Sequence, residues 1–252
     1  MTRRDMIKAA GGAAAATILG GIPLVAQSQE QNGKAMPQSG KRKILVIGAH
    51  PDDPETSAGG TMCLLKQAGH DVVSVYLTRG EAGIAGKTHD EAAAIRVAES
   101  ERACAMMGIR HIFMNQVDGN TEVNLERYRE MRELLECERP DVVITHWPVD
   151  SHRDHAACGL LVLDAWRRVG RTFDLYYMEA MTGTQSQMFQ PTDWVDISSV
   201  VDLKHRVCDC HVSQGMDDLL KGWHGPMEQF RGIECRCKAA EAFARHTVPG
   251  MI

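Results

Sequence analysis

The aliphatic run Ile44-Leu45-Val46-Ile47 leads directly into Gly48-Ala49-His50-Pro51-Asp52-Asp53-Pro54-Glu55. Four consecutive apolar residues suit a parallel strand covered on both faces, because such a strand has no solvent side to alternate toward. That demand constrains the fold more than any other feature of the chain. In an open α/β sheet, ligands bind outside the carboxyl ends of the strands. His50, Asp52 and Asp53 therefore emerge where chemistry is usually done. A dinucleotide-binding turn competes for the same place, but it needs glycines so that backbone amides can approach a pyrophosphate. Two aspartates would repel that group.

From Lys43 onward, short apolar runs alternate with amphipathic stretches, which predicts a parallel sheet with crossover helices. Strands are expected at Lys43–Ala49, Asp71–Thr78, His111–Met114, Asp141–His146 and Leu175–Glu179. Helices are expected at Thr56–Ala68, Glu91–Met107, Leu125–Cys137 and Ala156–Val169. Gly69, Gly108 and Gly170 stand just past three of them, as helix stops should. The segment Cys208–Arg245 carries helical patterning broken by glycines. The fold class that follows is α/β: a Rossmann-like, open, mainly parallel sheet with helices on both faces.

A second polar cluster, Asp150-Ser151-His152-Arg153-Asp154-His155, follows the apolar strand Val142–Thr145. Taken alone, a His-Pro dipeptide is commonly a turn and adjacent aspartates commonly cap a helix. Two His/Asp clusters after separate buried strands instead point to one shared metal site. Imidazole and carboxylate suit zinc or another divalent ion, and a catalytic site keeps one position open beside three protein ligands. His152 and His155, three apart on a first helical turn, fall on one side. Neighbouring aspartates point in different directions, so one can bind metal while the other takes the proton of an attacking water. A carboxylate behind an imidazole can hold it protonated as an acid. These are the parts needed to hydrolyse an amide or ester. No Gly-x-Ser-x-Gly nucleophile motif is present.

With these motifs in view, residues 42–243 resemble the PIG-L/LmbE family of zinc-dependent de-N-acetylases. Ala49-His50-Pro51-Asp52-Asp53-Pro54-Glu55 and Asp150-Ser151-His152-Arg153-Asp154-His155 are similar to its two metal motifs, with Arg153 departing from the usual proline. Leu77-Thr78-Arg79-Gly80-Glu81-Ala82-Gly83, Arg96-x-x-Glu99, Asp118-Gly119, His211-Val212-Ser213-Gln214 and Ala240-Glu241-Ala242-Phe243 support the likeness more weakly. The resemblance implies that His50, Asp53 and His155 bind zinc and that Asp52 is the general base. It implies that His152 is the acid and oxyanion partner, tuned by Asp154. Arg79 and Asp118 would contact substrate hydroxyls, and His211 would line the pocket. Glu55 is expected at a helix start, without direct chemistry. The implied partner is a small N-acetylated sugar or glycoconjugate. The rival expectations are a non-catalytic glycan-binding protein on the same scaffold, or a metal-dependent amidase or esterase for a non-sugar substrate.

The first 28 residues differ from the rest: Arg3-Arg4-Asp5-Met6-Ile7-Lys8, an uncharged Ala/Gly-rich run to Ala26, then Gln27-Ser28. A basic start, apolar middle and small-residue end describe an export signal of twin-arginine type. An uncleaved anchor is the alternative, but alanine and glycine make the run poorly hydrophobic for a bilayer span. Residues 29–41 are expected to be a flexible linker and residues 42–252 the enzyme domain. The expected location is periplasmic or extracellular, with no stable membrane insertion after cleavage. A net charge of −5 provides no basic surface for nucleic acid. Two Cys-x-Cys pairs, Cys208/Cys210 and Cys235/Cys237, are expected to cross-link as disulfides in an oxidising compartment, or to hold a structural zinc. Connectivity is open from sequence.

Overall fold

The computed structural model describes residues 40–247 and, at the level of backbone pairing, a two-residue antiparallel contact of Ile18–Leu19 with Ile22–Pro23. The expected export signal, apart from that pairing, and the linker up to residue 39 lie outside the described residues.

Nine elements alternate from the start of the domain: β1 (Lys43–Gly48), α1 (Asp53–Gln67), β2 (Asp71–Tyr76), α2 (His89–Met107), β3 (Arg110–Phe113), α3 (Leu125–Glu138), β4 (Val142–His146), α4 (Arg153–Arg168) and β5 (Asp174–Met178). There follow β6 (Asp193–Asp196), α5 (Val201–Cys208), α6 (Met216–Leu219), a π-helical turn Leu220–His224, α7 (Gly225–Cys235) and β7 (Ala240–Arg245). One seven-stranded sheet runs in the order β3-β2-β1-β4-β5-β7-β6. The first five strands are parallel, with Ile44 level with Val72 on one side and Val142 on the other. β7 is antiparallel to both β5 and β6.

The aliphatic run is explained by its surroundings. Ile44 and Val46 face a core built with Met62 and Leu65 of α1 and Val207 of α5. Leu45 and Ile47 face the opposite core, with Met131 of α3 and Leu161 and Val162 of α4. All four are completely buried, and each such side chain contributes roughly 1.5–3 kcal/mol. Strand order reverses between β1 and β4, the place where open α/β sheets form their ligand crevice.

Helix ends follow local chemistry. α2 begins earlier than its apolar pattern suggests, because Thr88 and Glu91 form a reciprocal capping box. Asn124 caps α3 through the amides of Glu126 and Arg127. Gly108 ends α2 at φ 68, in the left-handed region where a missing Cβ removes the strain. The helical expectation over Cys208–Arg245 fails at its end. Ala240–Arg245 is a strand inserted between β5 and β6, buried on both faces until its last residue. Its alanines and glutamate carry helical propensity, and tertiary packing overrides it. Glu241 accepts the amides of Gly60 and Thr61, both at 2.8 Å, and meets Lys204 Nζ at 2.7 Å. Among the described residues no helix is long and apolar enough to cross a membrane.

Candidate metal centre and active site

The loop after β1 reverses tightly into α1. A Cβ on Gly48 would lie 2.7 Å from both Asp53 Cβ and Pro54 Cδ, so only glycine permits the turn. The His50 amide donates to Asp53 Oδ2 at 2.7 Å, and the Asp53 amide returns to His50 O at 3.2 Å. Between them Asp52 adopts φ 121, a strained backbone for a residue with a side chain; such conformations cost of order 1–3 kcal/mol and concentrate at functional sites.

Asp53 is the hub. His50 Nδ1 lies 3.2 Å from Asp53 Oδ2, His146 Nε2 lies 3.1 Å from the same oxygen, and His155 Nε2 lies 3.4 Å from Oδ1. His146 and His155 stack with ring centroids 4.0 Å apart, and His152 stacks on His155 at 4.5 Å. Burial alone would raise the Asp53 carboxyl; His155, His146 and His50 hold it well below the usual range instead. Burial would lower His155, but Asp53 and Asp150 lift it to about 9. His50 is likewise raised against its burial, first by Asp53. His146, buried and beside His155, falls to about 4.

These donors fit a divalent cation. Two overlapping clusters, His50/His152/His155 and Asp53/His146/His155, keep ligand atoms within 4.8 Å of one another. A third cluster is His50/Asp118/Asp154. The expected triad His50, Asp53 and His155 is thus divided over the first two, which share His155. Imidazoles and carboxylates in a largely buried pocket are the donor chemistry of zinc and similar ions. Metal binding takes histidine as the neutral imidazole, so a bound cation would act against the upward shifts of His50 and His155.

A cavity of about 320 Å3 opens onto this centre, near the lower end of the ~300–1,000 Å3 found for small-molecule sites. Its lining includes His50, Asp52, Asp53, Asp118, His152 and His155. The Asp52 carboxyl is pushed up by burial and drawn partly back by Arg96, whose Nη2 lies 3.0 Å from Asp52 Oδ2. His152 is the N-cap of α4, its Nδ1 accepting the Asp154 amide at 3.3 Å. Burial and then the neighbouring His155 lower its pKa, against the charges of Asp154 and Asp53.

Comparison with known proteins agrees with this geometry. The family description "PIG-L: GlcNAc-PI de-N-acetylase" matches residues 45–166, which spans β1 to α4. The diacetylchitobiose deacetylase of Thermococcus kodakarensis is 30% identical over 198 residues, covering 72% of this chain and 73% of that protein. The chain belongs to the PIG-L family. A probable N-acetyl-alpha-D-glucosaminyl L-malate deacetylase 2 of Bacillus cereus is 30% identical over 200 residues, covering 75% and 90% of the two chains. The N,N'-diacetylchitobiose deacetylase of Pyrococcus horikoshii, solved with the inhibitor MPG, superposes with a TM-score of 0.73 at 25% identity, covering 83% and 85%. This PIG-L protein is a deacetylase, a hydrolase of amide C–N bonds.

The fold brings together most residues that the sequence marked. Asp154 has a second partner beyond the expected one: its charge favours the protonated form of His152, and its carboxylate faces His50 Nε2 at 3.1 Å while accepting the Gly119 amide at 2.7 Å and the Thr121 hydroxyl at 2.6 Å. Asp118 lines the cavity, 3.3 Å from His50 Nε2. His211 does not line it: the side chain is fully buried, 3.5 Å from Glu55 Oε2. Arg79 is half-exposed and pairs with Glu81 at 3.0 Å, and it too is absent from the cavity wall. Glu55 stands in the first turn of α1, as expected, and there it is fully buried and accepts the Tyr76 hydroxyl at 2.6 Å. The weaker motifs act as braces. Glu99 accepts the Ser213 hydroxyl at 2.6 Å and so ties α2 to the turn after His211.

The cysteines also differ from expectation. All eight are free. Cys208 is buried against Glu55 O, while Cys235 and Cys237 lie side by side with sulfurs 3.3 Å apart, so the two segments are not cross-linked. Sequence reasoning missed His146 and His224, and it marked Arg96 only as part of a supporting motif, without a role at the site. His146 ends β4, the strand beside β1, and that position was its available signal. His224 is buried in the π-helical turn, reaches the cavity wall and is held by burial at about 4.

Proposed function

We propose that this PIG-L protein is an exported, zinc-dependent de-N-acetylase of an N-acetylated amino sugar or glycoconjugate. One observation carries the reading: Asp52 and His152 line the same cavity as the metal donors His50, Asp53 and His155. A bound zinc ion would supply a Lewis acid that polarises the acetamide carbonyl and acidifies the attacking water. His50, Asp53 and His155 would hold it. Asp52 takes the proton of that water, its raised pKa bringing it closer to neutral pH, where a general base works best. His152, stacked on His155, donates a hydrogen bond to the oxyanion, and the proton that Asp52 took from the water passes to the leaving amine. The C–N bond then breaks to give acetate and the free amino sugar. Asp118, on the cavity wall, accepts hydrogen bonds from substrate hydroxyls.

The sugar assignment draws on the names of the relatives, a diacetylchitobiose deacetylase and an N-acetylglucosaminyl malate deacetylase among them. The export assignment draws on Arg3-Arg4 and the weakly apolar residues that follow. Acetate release from a panel of N-acetylated mono- and disaccharides, with and without a chelator, tests the proposal. Release that stops on chelation and returns with zinc is expected. Release from non-sugar amides alone would overturn the substrate class, and binding without release would favour the glycan-binding reading.

A further inference from the structure

The structure assigns Arg96 as the positioning residue for Asp52, an inference that rests on reading Asp52 as the general base. Asp52 occupies the N-cap of α1, where an aspartate normally accepts an amide from the first helical turn. Here its side chain makes no capping bond. Pro54, in that first turn, has no N–H to offer, and φ 121 swings the residue away from the helix. Only the Asp52 carbonyl serves the helix, accepting the Thr56 amide at 2.8 Å. The carboxylate is thereby diverted into the cavity.

Arg96 holds it there. The side chain comes from α2, is 3% exposed, and donates through Nη2 to both Pro51 O and Asp52 Oδ2. Its Nη1 lies 3.9 Å from Asp118 Oδ2. One guanidinium thus grips the backbone before the base, the base itself and the neighbouring cavity carboxylate. A planar fork can do this, whereas a lysine ammonium has no such geometry.

The Arg79–Gly83 loop is shaped around the same group. A Cβ on Gly80 would lie 2.5 Å from Arg96 Cδ, and one on Gly83 would lie 2.3 Å from Arg96 Nη1. Gly80 needs glycine anyway, at φ 72. Gly83 has no left-handed backbone, so its bare Cα serves the guanidinium alone. Arg96 therefore links the metal loop to the glycine loop, and the glycines are the room that it needs.

A double-mutant cycle on the zinc-loaded, full-length protein tests this. Arg96→Lys, Arg96→Met and Gly83→Ala are each made alone and with Asp52→Asn, measuring kcat, KM, bound metal and Tm. Each single change should lower kcat about 100-fold, the scale of a 1 Å misplacement, with wild-type metal content. In the Asp52→Asn background, none should lower kcat by more than about twofold, because the group they position can no longer act. Full additive losses there would overturn the inference and leave Arg96 a fold brace. Wild-type kcat in Asp52→Asn would overturn the base reading and this inference with it. If Arg96→Met fails to fold, Gly83→Ala and Arg96→Lys decide the matter by the same comparison.

Discussion

The imidazole of His50 turns its Nε2 to Asp154, 3.1 Å from Oδ2, while its Nδ1 faces Asp53 Oδ2 at 3.2 Å. Asp154 is itself held by Gly119 and Thr121, so it fixes the orientation of His50. A carboxylate behind a metal-binding histidine raises its basicity, and its loss typically costs 10–100-fold in metal affinity. Asp154→Asn should therefore weaken zinc binding by about that factor in competition with a chromophoric chelator. Unchanged affinity with a lower kcat would return Asp154 to the service of His152.

Asp52→Asn preserves size and shape but cannot take a proton. It should retain the bound metal and lose kcat by ~10²–10⁴. Metal analysis alongside steady-state kinetics separates the outcomes. Loss of zinc, with activity restored by excess zinc, would make Asp52 a ligand and exchange its role with that of Asp53.

Acid stability should depend on a buried ion cluster that joins α5, α7 and β7. Lys204, 1% exposed, meets Glu228 at 2.8 Å and Glu241 at 2.7 Å. Burial alone would raise Glu228, but Lys204 and His205 bring it down to about 2 from its ordinary 4.5. A carboxyl lowered on folding adds stability above its unfolded pKa and loses it as pH falls through the folded one. The window here is thus pH 4.5 down to about 2, and the contribution is about 3 kcal/mol by linkage. Glu228→Gln should lower Tm clearly at pH 7, and the gap to wild type should close toward pH 2.5. A gap independent of pH would sink this account. Lys204→Ala should destabilise more, by roughly 3–5 kcal/mol, because two buried carboxylates lose their cation.

The export proposal predicts a mature N-terminus near Gln29 and protein outside the cytoplasm. Replacing Arg3 and Arg4 together by lysine should leave precursor inside the cell, if the twin-arginine route is used. N-terminal sequencing combined with fractionation checks this. Membrane-bound protein still beginning at Met1 would favour an anchor.

Much of the site was legible because it is local. His50, Asp52 and Asp53 sit within four residues after a strand, and His152 and His155 within one helical turn. The continuous aliphatic run announced a strand buried on both faces, and the alternation that follows announced a parallel sheet. Those signals arise from short-range periodicity and from the sheet's need for cover, so one sequence suffices to carry them.

The tertiary structure decided what depends on distance across the chain. Asp154 lies two residues from His152, yet its carboxylate serves His50, 104 residues away. His146 looked like the end of a strand and became a partner of Asp53 only because β4 lies beside β1. His211 carried a motif but was buried behind Glu55, and the cysteine pairs were separated by the course of α7 into β7. Residue type and spacing specify what a side chain can do, whereas its partner is chosen by strand order and helix packing, which only the folded chain brings into contact.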